Sequence, residues 1–158
     1  MYICHKFFKL NTADRKEILE LYAAAFKVDN YPPTAGKILG LLYTSNQRYF
    51  SFEDLIDAVD VTKSAISKAL KFLETTGEVS YIYDEKNKRK RLFYLDIVSV
   101  KEQLYKNLQA YHTQIKLMEA SLKLRNEENK DLNSFIKTSI EFYTEVLNYY
   151  EERLKNHF

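Results

Sequence analysis

One glycine divides the middle of this 158-residue chain. Up to Gly77 the apolar residues recur at helical spacing; beyond it they alternate as in strands. In "TKSAISKALKFLETT", residues 62–76, a turn of about 100° per residue puts Ala65, Ile66, Ala69, Leu70, Phe72 and Leu73 on one arc. Lys63, Ser64, Ser67, Lys68, Lys71, Glu74 and Thr75 fall on the other. Thr62 or Lys63 starts this helix, and Gly77 ends it as a C-cap, where a left-handed backbone costs least. Burying Ile66, Leu70 and Leu73 contributes about 1.5–3 kcal/mol each. "EVSYIYD" and "RLFYLD" then supply the β-branched and aromatic residues of two strands, joined by "DEKNKRK". The spacing therefore predicts a helix running directly into a hairpin with a basic, flexible tip.

Helices precede this unit. Residues 12–28, "TADRKEILELYAAAFKV", repeat apolar positions Ile18, Leu21, Tyr22, Ala25 and Phe26 at helical intervals, with Asn11 or Thr12 as cap. "DNYPP" ends that helix, because each proline excludes the residue before it from the helical region. A second helix starts at Pro33 or Thr34 and reaches about Thr44. Its Ile38, Leu39, Leu41 and Leu42 make it a buried one, and Gly36 and Gly40, four apart, suit close packing against another helix. "RYFSF" is a candidate short strand. Ser51 and Asp54 form a variant of the capping box at the start of a third helix that exposes Glu53, Asp54 and Asp57 and buries Leu55, Ile56 and Val59. Asp60 and Val61 make a tight joint to the fourth. Only 3 Gly and 2 Pro occur in the chain, which disfavours an all-β fold and favours long helices with few joints.

The outward arc of residues 62–76 carries the functional information. Small side chains let a helix approach a surface closely, hydroxyls donate to phosphates or base edges, and lysines add charge. A major groove about 12 Å wide admits such a helix, and the free N–H groups of its first turn favour phosphate. An ordinary solvated face would carry Ser and Lys too; the hairpin tips the balance. "KNKRKR", Lys86 to Arg91, holds five cations and no anion, and sits between strands rather than in a tail. Helix, turn, helix and basic hairpin is the order of a winged helix-turn-helix. The expected fold class is mainly α with a small β-hairpin wing, a winged helix-turn-helix domain followed by long C-terminal dimerisation helices.

The stretch from Tyr31 to Asp96, some 40% of the chain, resembles the DNA-binding domain of GbsR-like regulators within the MarR-like winged-helix group. The Pro-x-x-x-Gly-x-Ile-x-Gly-x-Leu run, the "VTKSAISKALKFLETTGEV" block and the basic wing followed by "FYL" carry the resemblance. It implies a dimeric transcription factor. Ser64, Ala65, Ser67 and Lys68 match recognition-helix positions, and Arg89 or Arg91 the wing-tip arginine. The wing departs from the family in having Asn87, extra lysines and no Gly at its turn. The candidate DNA-binding residues are Thr62, Lys63, Ser64, Ala65, Ser67, Lys68, Lys71, Lys86, Lys88, Arg89, Lys90 and Arg91. GbsR-like relatives are associated with choline or glycine betaine sensing, and aromatic faces bind quaternary ammonium. Trp, the best such face, is absent, and the 13 Tyr and 10 Phe suit core and interface, so no ligand cage is assigned.

Residues 97–158 form the third part of the chain. Val100, Leu104, Leu108, Tyr111, Ile115, Met118 and Leu122 step by four and three; Leu132, Ile136, Ile140, Tyr143, Leu147, Tyr150 and Leu154 do likewise. These are seams of coiled-coil type, and Phe135, Phe142 and Tyr149 add a second stripe at seven-residue spacing. The polar "RNEENKD" at 125–131 separates them, favouring two antiparallel helices of about 40 Å over one of roughly 90 Å. The uncovered stripe calls for a second copy of the chain, and a twofold dimer sets two reading helices about 34–36 Å apart on a palindromic site. The expected division is 1–30, an N-terminal helix packing with the dimerisation region; 31–96, the winged helix-turn-helix domain; and 97–158, the dimerisation helices.

Other chemistries leave little trace. Cys4 is the sole cysteine, so no disulfide lies within the chain and a reducing cytoplasm is the expected setting. His5, His112 and His157 are scattered, with no metal-ligand spacing. No nucleotide loop or catalytic motif appears, so no cofactor and no enzymatic activity are expected. No apolar run is long enough for a membrane span. The expected partners are double-stranded DNA and a second copy of the chain; a small-molecule effector, if any, would bind between the wing domain and the helices and is not identified by sequence. The competing expectation is a winged-helix protein-interaction module that binds no DNA.

Overall fold

The computed structural model describes residues 14–158. The chain falls into two compact units, the first ending at Ile97 and the second running Val98–Phe158. Elements follow in the order α1 (Arg15–Phe26), α2 (Pro33–Thr44), β1 (Phe50–Ser51), α3 (Phe52–Val59), α4 (Lys63–Thr76), β2 (Val79–Tyr83), β3 (Arg91–Leu95), α5 (Ile97–Lys123) and α6 (Lys130–His157).

Asn11 and Thr12, the expected caps of α1, lie outside the described residues, as do Cys4 and His5. In the described chain α1 starts at Arg15, with the Asp14 side chain accepting from the Glu17 N–H. A single 3-10 turn, Lys27–Asp29, and a left-handed Asn30 (φ 62°) carry the chain to Pro33. Helix α2 is the hub: Ala35, Ile38, Leu39 and Leu41 are almost wholly buried. Its two glycines serve contact with α1. A β-carbon on Gly40 would stand 2.9 Å from Cγ of Tyr22, and one on Gly36 would meet the α1 backbone.

Helix α3 opens on a reciprocal capping box. Ser51 N–H donates to Asp54 Oδ2 at 2.8 Å and Asp54 N–H donates to Ser51 Oγ at 3.2 Å. Leu55 and Val59 are buried as expected, while Ile56 is only half-buried. The α3–α4 joint turns through Asp60 in the left-handed region (φ 55°), a conformation Asp tolerates better than most residues. Gly77 ends α4 at φ 84°, its N–H donating to Leu73 O.

The wing is one strand wider than a hairpin. β2 and β3 pair antiparallel from Val79 opposite Leu95 to Tyr83 opposite Arg91. The short β1 joins the other edge of β3, Phe50 opposite Phe93, giving the order β1-β3-β2. Phe50, Val79 and Phe93 close the core formed by Leu39, Leu55, Ile66 and Leu73.

In the second unit α5 and α6 form an antiparallel hairpin, resolving the alternative of one continuous helix. Leu108, Ile115, Leu147 and Leu154 make its core, with Leu104 and Ile140 beside them. His112 Nε2 lies 2.8 Å from Glu151 Oε1, and Lys101 lies over the Phe158 ring. At the turn the buried Asn133 donates to Asn126 O at 2.7 Å and accepts from Arg125 Nε at 2.6 Å. The seams are not wholly consumed: Tyr111, Tyr143 and Tyr150 stay exposed.

Candidate nucleic-acid interface

The N-terminus of α4 is shaped by its own sequence. Thr62 Oγ1 accepts from the Ala65 N–H at 3.3 Å, satisfying one of the helix's open donors. Lys63, Ser64, Ser67, Lys68 and Lys71 are exposed, Ala65 is half-buried, and Ile66, Ala69, Leu70 and Leu73 face the core. Among the described residues Lys63, Lys68 and Lys71 form no ion pair. Ser64, Ser67, Lys71 and Glu74 follow one another by three, four and three positions, so they form a single stripe along the outer face.

At the wing tip order is imposed by side chains in place of glycine. Asp84 N–H donates to Lys90 O at 2.9 Å and Lys90 N–H donates to Asn87 O at 2.8 Å, closing the loop. The Asp84 carboxylate accepts from the amides of Lys86 (2.7 Å) and Asn87 (3.1 Å), and Asn87 Oδ1 accepts from the Arg89 amide (3.2 Å). Such Asx turns stand in for backbone turns, and no residue of the tip takes a positive φ. The flexible loop expected from sequence is thus a bonded one. The Lys86 and Asn87 amides hold the Asp84 carboxyl below its usual range, with Lys90 and Lys86 adding to the effect.

Lys86, Lys88, Arg89 and Lys90 are exposed and form no ion pair among the described residues. Arg91 differs: it is the first residue of β3, and its Nη1 lies 3.8 Å from Glu74 Oε1. Its guanidinium also rests 4.9 Å from the Tyr81 ring centre and 5.1 Å from that of Phe93. The run that reads as five equivalent cations is four at the tip and one at the root.

A second brace at the end of α4 is invisible to local sequence reasoning. Glu78 accepts hydrogen bonds from the hydroxyls of both Tyr31 and Thr76. Burial, then the Glu78 carboxylate, push the Tyr31 hydroxyl well above the ordinary tyrosine range. Tyr31 also packs edge-on against Phe72 of α4, ring centres 4.9 Å apart. A link across 47 positions has no signature in spacing.

In the second unit a cavity of about 400 Å³ opens between α5 and α6, lined chiefly by Leu108, Tyr111, Ile115, Phe142, Tyr143 and Tyr150. Among the described residues no charged side chain lines it. Among the described residues no cluster of three potential metal ligands occurs, and no helix is long and apolar enough to cross a membrane.

No protein-family model matches the chain, and no curated protein matches it in sequence. Solved structures do. A crystal structure of a transcriptional regulator superposes with a TM-score of 0.65 at 17% identity, covering 92% of this chain and 98% of that one. The S. aureus MepR–DNA complex covers 72% of this chain and 89% of its own at 22% identity, TM-score 0.42. Transcriptional regulator Tm0710 from Thermotoga maritima covers 82% and 89% at 16% identity, TM-score 0.44. The first of these similarities spans nearly the whole of both chains, and the shared fold is a winged-helix one, mainly helical with a small three-stranded antiparallel wing.

Proposed function

We propose that this chain is a sequence-specific DNA-binding transcriptional regulator, GbsR-like within the MarR-like group, acting as a homodimer on a palindromic duplex. Helix α4 enters the major groove and reads bases through Ser64, Ser67 and Lys68, with Thr62, Ala65 and Lys71 at the groove wall and Lys63 on phosphate. Lys86, Lys88, Arg89 and Lys90 contact phosphates or the adjacent minor groove, and Arg91 stands at the root of the same wing. One observation carries this: a helix face of small, hydroxylated and basic residues shares a unit with a bonded tip of four exposed cations that no carboxylate of the described residues approaches within 4 Å. Concentrating like charge on an ordered loop costs stability in isolation, and a polyanion offsets that cost.

The dimer is assigned to residues 97–158. Phe135, Phe142 and Tyr149, each about three-fifths exposed or more, leave an apolar stripe on α6 that a second copy covers.

Selection of bound duplexes from a random pool tests class, symmetry and target together. A palindromic consensus with half-sites one helical turn apart is the expected result. Recovery of no enriched duplex at low salt sinks the proposal.

A further inference from the structure

Arg91 belongs to the cationic run by sequence but not by geometry. In the β2–β3 ladder it stands opposite Tyr83, and Phe93 is opposite Tyr81. Residues two apart on a strand share a face, so Arg91 and Phe93 point the same way, with Tyr81 diagonal to Arg91. A side chain reaching for a ligand at the tip would extend past Tyr83. This one folds back toward the core, its guanidinium near both the Tyr81 and Phe93 rings. It ends beside Glu74, the last member of the stripe Ser64–Ser67–Lys71–Glu74. Tyr81 in turn meets Tyr83 edge-on at 5.6 Å between ring centres. One arginine therefore ties three aromatic residues of the wing to the outer stripe of α4.

Glu74 is the odd member of that stripe. A carboxylate on a face meant for a polyanion weakens binding through repulsion unless it has another task. Its contact with Arg91 supplies one.

Resting on the DNA-binding proposal above, we infer that Arg91 and Glu74 are positioning residues: together they fix the pitch of the wing against α4, so that helix and tip meet the same duplex in register, and Arg91 itself makes no phosphate contact. The planar guanidinium is suited to this because it stacks on rings and pairs with a carboxylate at once, which a lysine ammonium does not do.

The test uses the full chain with Arg91→Lys, Arg91→Ala and Glu74→Gln, measuring affinity for the selected duplex over a range of salt. Arg91→Lys keeps the charge and loses the stacking, so binding should weaken about fivefold, nearly as much as for Arg91→Ala. The slope of log affinity against log salt should stay at the wild-type value in all three. Glu74→Gln should also weaken binding, although it removes a negative charge next to DNA. Two results would overturn the inference: wild-type binding by Arg91→Lys together with a slope reduced by roughly 0.9 in Arg91→Ala, or tighter binding by Glu74→Gln. Hydrogen exchange of free protein gives a readout independent of DNA. Arg91→Lys should speed exchange of the amides in β2 and β3 while those of α2 keep wild-type protection; unchanged β2 and β3 exchange refutes the brace even for a chain that binds no duplex.

Discussion

Gly36 and Ala23 meet backbone to backbone: a β-carbon added at Gly36 would lie 2.8 Å from Ala23 Cα and 3.0 Å from Tyr22 O. Neither atom can rotate away, so α1 would have to move off α2. Alanine improves helix propensity by about 1 kcal/mol, but overpacking a tight core costs about 1–3 kcal/mol and here strikes main chain. Gly36→Ala should be destabilising on balance. Gly40 differs because its neighbour at 2.9 Å is a ring atom of Tyr22, a side chain able to shift. Chemical denaturation should rank Gly36→Ala below Gly40→Ala in stability; equal midpoints would show that the α1–α2 crossing has slack.

The Ser51–Asp54 box gives the fold an acid limit. The Ser51 amide bonds to the Asp54 carboxylate and holds its pKa below the ordinary value, with the Ser51 side chain and Lys90 assisting. A carboxyl whose folded pKa is lowered contributes fully above its unfolded value, near about 3.9, and loses that contribution as pH falls through the lowered folded value. Asp54→Asn should flatten this part of the stability–pH curve by lowering stability at neutral pH, where the ionised carboxylate contributes, while differing little from wild type at the acid end, where that contribution is already lost. Ser51→Ala should cost about 1 kcal/mol at neutral pH. An acid limb identical in wild type and Asp54→Asn would remove the box as its source.

Both of these features are legible in the sequence. Local rules work where a single residue decides: Ser51 with Asp54, Pro33 and Gly77 mark three helix boundaries, and two glycines four apart mark a close crossing. The arcs of α4 follow from its spacing because one helix face meets one core. Other features depend on partners far along the chain. Tyr31 and Glu78 are 47 positions apart, and the order of the tip arises from Asp84 and Asn87 replacing the glycine that a tight turn usually needs. The role of Arg91 depends on strand register, which a run of cations hides. On α5 and α6 the seven-residue spacing marks apolar positions, but cannot say that Leu147 is buried while Tyr143 and Tyr150 stay open.

Helix and wing should fail differently. Lys88→Ala with Arg89→Ala removes two exposed tip charges and no packing. Affinity should fall for specific and random duplexes alike, and the salt slope should drop by roughly 0.9 for each phosphate no longer neutralised. Ser67→Ala with Lys68→Ala should instead change base preference, costing about 1–3 kcal/mol on the preferred duplex and much less on random DNA. Selected-pool sequencing and salt titration of both variants separate the two effects. A tip variant with an altered consensus and an unchanged slope would reverse the assigned roles.

Association of two copies can be tested without touching the core of the hairpin. Phe135 and Tyr149 are 66% and 61% exposed in the isolated chain and line no part of the α5–α6 cavity. Changing both to Glu should therefore leave the folded unit intact, because its core residues Leu108, Ile115, Leu147 and Leu154 are unaltered. In a dimer that covers this stripe the same two charges would be desolvated without partners, a cost of several kcal/mol per ion. Sedimentation or light scattering should give twice the chain mass for wild type at micromolar concentration and the single mass for the double variant, with equal helical content by circular dichroism. DNA affinity should fall steeply in the variant, since each reading head then binds its half-site alone. A monomeric wild type, or a double variant that still pairs, would move the interface away from this face of α6.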